Sequence, residues 1–365
     1  MNDIHDHERE APLIEQVISA REASTPLVIR GGGSKDFYGN PARAEQVLDV
    51  AAHQGVVAYE PTELAITVRG GTPLAAVEAL LAEHGQQLPF EPPHFGPAAT
   101  VGGMVAAGLS GPRRPYAASV RDALLGVRLL NGEGKAMDFG GRVMKNVAGY
   151  DLSRLMAGSL GILGVLLTVS LKVAPVPAGH MTLVQEQTLD GALALLKRWA
   201  RRALPITATA WLEGLLNVRL GGSEEGLKQT HQIVGGLPLP EADAFWDDLR
   251  EQRLAFFTGD APLWRLSVRP ATAASDLRFD GAGAPLVEWG GALRWLRGEL
   301  PVAEVRDRAK AAGGHATLFR PGRAEPPGGG VFTPLDPVVA RLHRNLKQAF
   351  DPAGILNPGR LYPDL

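Results

Sequence analysis

Three consecutive glycines close an apolar run in Pro26-Leu27-Val28-Ile29-Arg30-Gly31-Gly32-Gly33-Ser34-Lys35, and no other stretch limits the fold as tightly. Leu27, Val28 and Ile29 read as a buried strand. Glycines directly after a strand let the backbone curl into a concave nest whose N–H groups can approach an anion, because no Cβ stands in the way. Arg30, Ser34 and Lys35 add charge and a hydroxyl to such a loop. The same glycines also fit a plain tight turn. The spacing matches neither G-x-x-x-x-G-K-[ST] nor G-x-G-x-x-G, which excludes a nucleoside-triphosphate loop and a Rossmann fingerprint.

Two further segments have the same character. In Pro92-Pro93-His94-Phe95-Gly96-Pro97-Ala98-Ala99-Thr100-Val101-Gly102-Gly103, Thr100 is placed to cap a short helix whose glycines would present free N–H groups to an anion. The small Ala106, Ala107 and Gly108 that follow, before Ser110-Gly111, permit a planar group to come close. Lys145-Asn146-Val147-Ala148-Gly149-Tyr150-Asp151-Leu152 leads into Gly158-Ser159-Leu160-Gly161-Ile162-Leu163-Gly164-Val165, where glycines flank an apolar strand and the backbone must pass something closely, a ligand or a neighbouring strand. The chain of 365 residues has no cysteine, so disulfides, iron–sulfur ligation and thiol nucleophiles are excluded and redox chemistry requires a bound cofactor.

Elsewhere the sequence sets out two regions. Leu13, Ile14, Val17 and Ile18 share a helical face ahead of the first strand. Thr72, Pro73 and Gly85 frame a helix with the stripe Leu74, Val77, Leu80 and Leu81. Asn131-Gly132-Glu133-Gly134 predicts a hairpin turn, and alternation over residues 165–173 predicts a strand with one buried face. Pro175-Val176-Pro177-Ala178-Gly179 breaks helix and strand alike and marks the main boundary. Beyond it the pattern predicts helices near Gly191–Arg202, Glu224–Ile233 and Ala242–Arg253. Strands are predicted around Glu213-Gly214 and near Leu263–Val268, Leu286–Trp289, Leu293–Leu296 and His315–Phe319, an α+β arrangement with an antiparallel sheet. Pro326-Pro327-Gly328-Gly329-Gly330 reads as surface loop, and Asp336–Phe350 as the last helix.

The order and spacing of the three glycine-rich segments resemble the FAD-binding domain of PCMH-type flavoproteins, the vanillyl-alcohol oxidase family. Within that family the chain looks like the FAD-binding subunits of bacterial glycolate oxidase complexes. The likeness runs through the tail Phe350-Asp351-Pro352-Ala353-Gly354-Ile355-Leu356-Asn357-Pro358-Gly359-Arg360. It implies a two-subdomain FAD domain over residues 1–175, an α+β cap over 180–330, and a helix and tail over 331–365 that pack back on the FAD domain. It also implies FAD held non-covalently, with Arg30, Gly31, Gly32, Gly33, Ser34 and Lys35 around the pyrophosphate and Pro92, Pro93, His94 and Phe95 against the flavin. Thr100, Val101, Gly102, Gly103 and Ala106 would meet phosphate or ribitol, and Ser110, Gly111, Gly161 and Val165 would complete the site. Relatives carry Gly-Ser-Glu-Gly where this chain has Gly158-Ser159-Leu160-Gly161.

Catalytic members of that family use a histidine base and a basic residue for the substrate carboxylate, within an H-A-G-x-G-N-x-H segment. The matching stretch here, Gly313-Gly314-His315-Ala316-Thr317-Leu318-Phe319-Arg320, has one histidine. His315 and Arg320 are the candidate base and clamp, although a strand histidine and a surface arginine fit equally. The implied function is oxidation of glycolate to glyoxylate within a complex, with a catalytic flavin subunit and an iron–sulfur subunit as partners. A stand-alone 2-hydroxy-acid dehydrogenase and a structural subunit without flavin are the alternatives. The other histidines lack metal-ligand spacing, so no metal site is expected. Lys and Arg (37) balance Asp and Glu (39), leaving no basic field for nucleic acid. The polar amino end and the lack of a strongly apolar stretch near the ~20 residues of a membrane span predict a cytoplasmic chain, reaching a membrane only through partners.

Overall fold

The computed structural model describes residues 2–141, 151–323 and 328–365, with side chains from residue 8 onward. The Lys145 to Tyr150 part of the third glycine-rich segment and Pro326-Pro327 lie outside the described residues. The chain divides into two units, one of Met1–Leu109, Ser119–Pro175 and Pro334–Leu365, the other of Ser110–Ala118 and Val176–Thr333.

In the first unit, helix α1 (Asn2–Glu22) lays Leu13 and Val17 on Leu48, Val165 and Leu356. It feeds β1 (Leu27–Arg30), which pairs in parallel with β2 (Gln46–Asp49), while Leu356 of the tail bridges Leu27 in parallel. There follow β3 (Val56–Glu60), β4 (Ala65–Arg69), α2 (Leu74–Glu83), β5 (Gln86–Gln87), α3 (Val101–Ala107), α4 (Val120–Ala123), β6 (Leu124–Leu130), β7 (Ala136–Gly140), β8 (Val165–Lys172) and β9 (Ala174–Pro175). Five strands form an antiparallel sheet in the order β3-β4-β8-β6-β7.

Strand β8 is central and buried on both faces rather than the single face its alternation predicts. The polar residue that misleads is Ser170, buried but hydrogen-bonded to Thr67 of β4 at 2.8 Å, so its hydroxyl costs little inside the core. Leu74, Val77 and Leu81 of α2 are fully buried. Thr72, however, does not cap this helix. Its hydroxyl donates to Arg69 O (2.6 Å) and accepts from Gly55 N (3.0 Å), and Pro73 holds the cap position without a side-chain bond. In the predicted hairpin, Asn131 Oδ1 accepts from the N–H groups of Glu133 and Lys135.

The C-terminal helix, Pro337–Phe350, starts at Asp336, whose carboxylate accepts from Val338 N. Near its end Lys347 is 7% exposed and donates to Asp351 Oδ2 (2.7 Å), Ile162 O (2.9 Å) and Leu356 O (2.7 Å). Asp351, also buried, accepts in turn from the N–H groups of Ile355 and Leu356. One buried ion pair thus folds the tail back beside β1.

The second unit contains β10 (Gly179–Glu186), α5 (Leu189–Trp199), β11 (Ile206–Leu212), β12 (Leu215–Gly222), α6 (Glu224–Val234), β13 (Leu237–Pro238), α7 (Ala242–Arg250), β14 (Leu263–Ser267), β15 (Leu286–Glu288), β16 (Leu293–Arg297), α8 (Val302–Ala311) and β17 (His315–Arg320). Its eight strands run β13-β10-β12-β11-β15-β16-β14-β17, antiparallel throughout, which is the α+β arrangement expected. One face buries Leu183, Leu216 and Val218 with α5 and α6, and Trp264, Leu266 and Leu318 with α8. Strand β10, which starts inside the Pro/Gly break, and helix α8 have no counterpart in the sequence reading.

All six tryptophans are buried and belong to the core. Four donate their indole N–H: Trp211 to Gln187 O, Trp246 to Thr182 Oγ1, Trp289 to Gly111 O and Trp295 to Glu288 Oε1.

Removing the cation from the tail's ion pair leaves a buried carboxylate facing fewer donors. Lys347→Met is expected to lose about 3–5 kcal/mol in urea unfolding, and Lys347→Met combined with Asp351→Asn to recover part of that loss. A single-variant loss below about 1 kcal/mol would show that the pair does not hold the tail.

Candidate functional site

The glycine loop after β1 lines a solvent-open hollow, the concave kind of surface that small-molecule sites use. Gly31, Gly32, Gly33, Ser34 and Lys35 form one wall; Thr100, Gly103 and Ala106 of the second segment, Leu160 and Arg360 form the rest. An adjoining hollow shares Gly31, Gly103, Ala106 and Leu160 and adds Gly102, Gly161, Gly164, Val165 and Asn357. Among the described residues, the backbone N–H groups of residues 31, 32, 33 and 34 have no protein acceptor. A buried or half-buried N–H run in that condition requires water or a ligand.

Why these glycines are glycines differs from one to the next. A Cβ on Gly32 would fall 1.5 Å from Ala98 O, and one on Gly31 2.4 Å from Thr100 Oγ1, so this part of the loop lies directly on residues 98–100. Gly102 is equally confined, its Cβ position being 2.8 Å from Gly70 O. Gly103 is open. A Cβ there would meet only Thr100 Oγ1, at 3.1 Å, and would otherwise project where the two hollows join.

Thr100 caps α3 as expected, accepting from Gly103 N at 3.2 Å. The free N–H groups expected at this helix start are absent, because Val101 N donates to Thr72 O (2.9 Å) and Gly102 N to Gly70 O (2.7 Å). The seven-residue helix supplies small surface to the hollow rather than donors. Positive charge comes from the loop and the tail. Arg30 pairs with Asp36 at 2.8 Å, Lys35 Nζ donates to His94 O at 3.0 Å, and the Arg360 guanidinium donates to Asn40 O and Asp36 O at 2.6 and 2.7 Å. Burial pulls the Arg360 pKa down and Asp36 partly offsets it.

Several expected site residues stand elsewhere. Pro92, Pro93, His94, Phe95 and Val101 do not line either hollow. His94 is turned to Glu78 of α2, Nε2 to Oε2 2.9 Å, and Phe95 meets Phe37 edge-on at 5.4 Å. Ser110 and Gly111 belong to the second unit, where the segment is held by Trp289 Nε1 to Gly111 O (3.0 Å), Tyr116 OH to Thr209 Oγ1 (3.2 Å) and Arg114 over the Trp289 ring (4.6 Å).

His315 and Arg320, the expected base and clamp, stand apart. They pair with Ser267 and Leu263 of β14, four residues apart, which is about 13 Å along a strand. Arg320 spends its guanidinium on Gln252 Oε1 (3.0 and 3.3 Å). His315, at the solvent-accessible start of β17, has its pKa lowered first by desolvation from the protein around it and then by Arg265.

Sequence reasoning missed the tail's share of the site. Asn357 Oδ1 accepts from Ile29 N (2.7 Å) and its Nδ2 donates to Leu160 O (2.6 Å), joining the strand before the glycine loop to the 158–164 turn. The signal was present in Asn357-Pro358-Gly359-Arg360. Leu160, where the resemblance expects glutamate, adopts φ +51° and presents apolar surface to both hollows. Among the described residues there is no group of three or more potential metal ligands, and no helix is long and apolar enough to cross a membrane.

Residues 8–140 match the family described as FAD binding domain, and residues 333–361 match FAD linked oxidases, C-terminal domain. The chain is 48% identical to glycolate oxidase subunit GlcE of Escherichia coli (strain K12) over 353 residues, 97% of each chain. It is 29% identical to glycolate oxidase subunit GlcD of Bacillus subtilis (strain 168) over 45% of this chain and 35% of that one. Among solved structures, an alkyldihydroxyacetonephosphate synthase matches with a TM-score of 0.66 at 15% identity, covering 95% of this chain and 75% of that chain, a likeness of fold.

Two measurements check these placements. Gly32→Val is expected to cost about 3 kcal/mol or more by backbone collision, whereas Gly103→Val stays within about 1 kcal/mol of the parent; equal losses would refute the distinction. An NMR titration of His315 is expected to show a midpoint below 6.5, moved upward in Arg265→Gln. Because the folded state binds the proton less readily, this residue's contribution to stability is present above 6.5 and lost as pH falls through that midpoint.

Proposed function

The chain belongs to the family of FAD-binding glycolate oxidase subunits, and on that footing we propose that it is the flavin-carrying subunit of a complex that oxidises glycolate to glyoxylate. Its cofactor is FAD. The observation that carries the reading is the row of unaccepted N–H groups at residues 31–34, facing a hollow bounded by Lys35 and Arg360. A pyrophosphate supplies the acceptors that this row lacks. Gly103 and Ala106 would keep the space beside it clear for the rest of the cofactor.

When bound, FAD supplies an acceptor for two electrons that can be passed on one at a time. The protein's part is to bind, orient and insulate. Among the described residues no histidine lines either hollow, and the sequence has no cysteine, which supports a cofactor held without a covalent link. The separation of His315 from Arg320 keeps the expected base and carboxylate clamp apart, which supports electron relay over autonomous substrate oxidation. A catalytic flavin subunit is then needed to take the hydride and proton from the 2-carbon. The absence of cysteine assigns any iron–sulfur cluster to a third subunit. Contact with a membrane would run through those partners.

The purified chain is expected to show a flavin absorption spectrum, to release all colour on acid precipitation, and to lose it in Gly103→Val while staying folded. Mixed anaerobically with glycolate it should bleach slowly, about 10²–10⁴ below an enzyme with a positioned base. Rapid bleaching that disappears in His315→Ala would make this chain itself the dehydrogenase.

A further inference from the structure

The glycine loop is fastened at both ends by the C-terminal tail, which reaches it from more than 300 residues away in sequence. Before the loop, Leu27 N donates to Ile355 O (2.7 Å), Asn357 N to Leu27 O (2.9 Å) and Ile29 N to Asn357 Oδ1 (2.7 Å). After it, Arg360 donates to Asn40 O (2.6 Å) and Asp36 O (2.7 Å), while Asn40 N donates to Arg360 O (2.9 Å) and Asn40 Nδ2 to Gly359 O (3.2 Å) and Leu361 O (3.1 Å). Between these two fastenings lie residues 31–34, whose N–H groups have no acceptor among the described residues.

An N–H nest binds an anion only while its donors converge, and glycines, the residues with most backbone freedom, cannot keep that curvature by themselves. We propose that Asn357 and Arg360 are positioning residues which set the curvature of the 31–34 loop and so determine its affinity for the diphosphate of FAD. This inference rests on the cofactor reading given above. Asn357 carries no charge and spends its amide oxygen and nitrogen on Ile29 N and Leu160 O, so what it gives the loop is position. It also takes φ +44°, a conformation that asparagine tolerates better than most residues. The Lys347–Asp351 pair stands one step behind, holding Leu356 immediately before Asn357.

The test compares ligands that share the adenosine diphosphate half and differ in the riboflavin half. FAD and ADP affinities are measured by calorimetry on the flavin-stripped full chain for the parent, Asn357→Gly and Arg360→Lys, below the unfolding range of each. Asn357→Gly removes the bonds to Ile29 N and Leu160 O without adding charge, and Arg360→Lys keeps the positive charge while giving up the fork that reaches both Asn40 O and Asp36 O. Both are expected to weaken FAD and ADP by the same factor, about tenfold or more, the scale of losing one charge-assisted hydrogen bond. Arg43→Ala, which frees Pro363 O in the same tail, should change neither affinity.

A lowered Tm with both affinities intact would mean that the tail is merely structural and overturn the proposal. A loss confined to FAD would overturn it too, by assigning the tail to the flavin end. A parent chain that binds neither ligand would sink the cofactor reading, and this inference with it.

Discussion

Four successive backbone N–H groups that find no acceptor among the described residues form the constraint around which the first unit is arranged. Left to itself, a glycine run would collapse so as to pair its donors, since each unpaired one costs of the order of 1–3 kcal/mol when removed from water. It is kept open because its neighbours are fixed independently. Ala98 O and Thr100 Oγ1 back it at distances that admit no side chain, and the tail ties both its ends. The tail in turn depends on Lys347 and Asp351, whose buried charges make five hydrogen bonds, one of them to each other. Sequence-distant elements therefore converge on a loop of a few residues.

The strands, the helices with apolar stripes and the antiparallel character of the second unit were legible because they depend on local periodicity, as in Leu74, Val77 and Leu81. What periodicity reported wrongly was polarity inside the core. Ser170 makes β8 look half-exposed because a sequence cannot show that Thr67 stands opposite it on β4. Thr72 looks like a helix cap because it precedes Pro73, yet the carbonyl of Arg69 competes successfully for its hydroxyl. Each error comes from a hydrogen-bond partner brought in by tertiary structure.

The candidate site was legible to the same degree and for the same reason. Residues 31–35, Thr100, Gly103 and Ala106 carry local signs of a nest and a small helix, and they do line one hollow. Val101 and Gly102 looked like donors, but their N–H groups had already been claimed by Thr72 and Gly70. Glycine content alone could not separate Gly32 and Gly102, required by backbone packing, from Gly103, which leaves room for something else. Asn357 and Arg360 were missed because their role depends on where the tail lands, which is set by a buried ion pair and not by any periodic pattern.

The second unit bears on catalysis through spacing rather than residue type. Its sheet places Arg265 between His315 and Arg320 along one face, since Arg265 pairs with Thr317 while His315 and Arg320 pair with Ser267 and Leu263. Arg265 also lies over the rings of Trp289 and Trp295, at 5.1 and 5.9 Å, which fixes a cation near His315. That cation keeps the imidazole neutral to lower pH, the state in which it could accept a proton. A neutral histidine is necessary for a general base, but a base works only with the substrate's carboxylate held in register beside it. Arg320 is held to Gln252 at the other end of the strand, so the histidine keeps its protonation state and lacks its expected companion. What separates this arrangement from the expected base and clamp is therefore geometry rather than residue type.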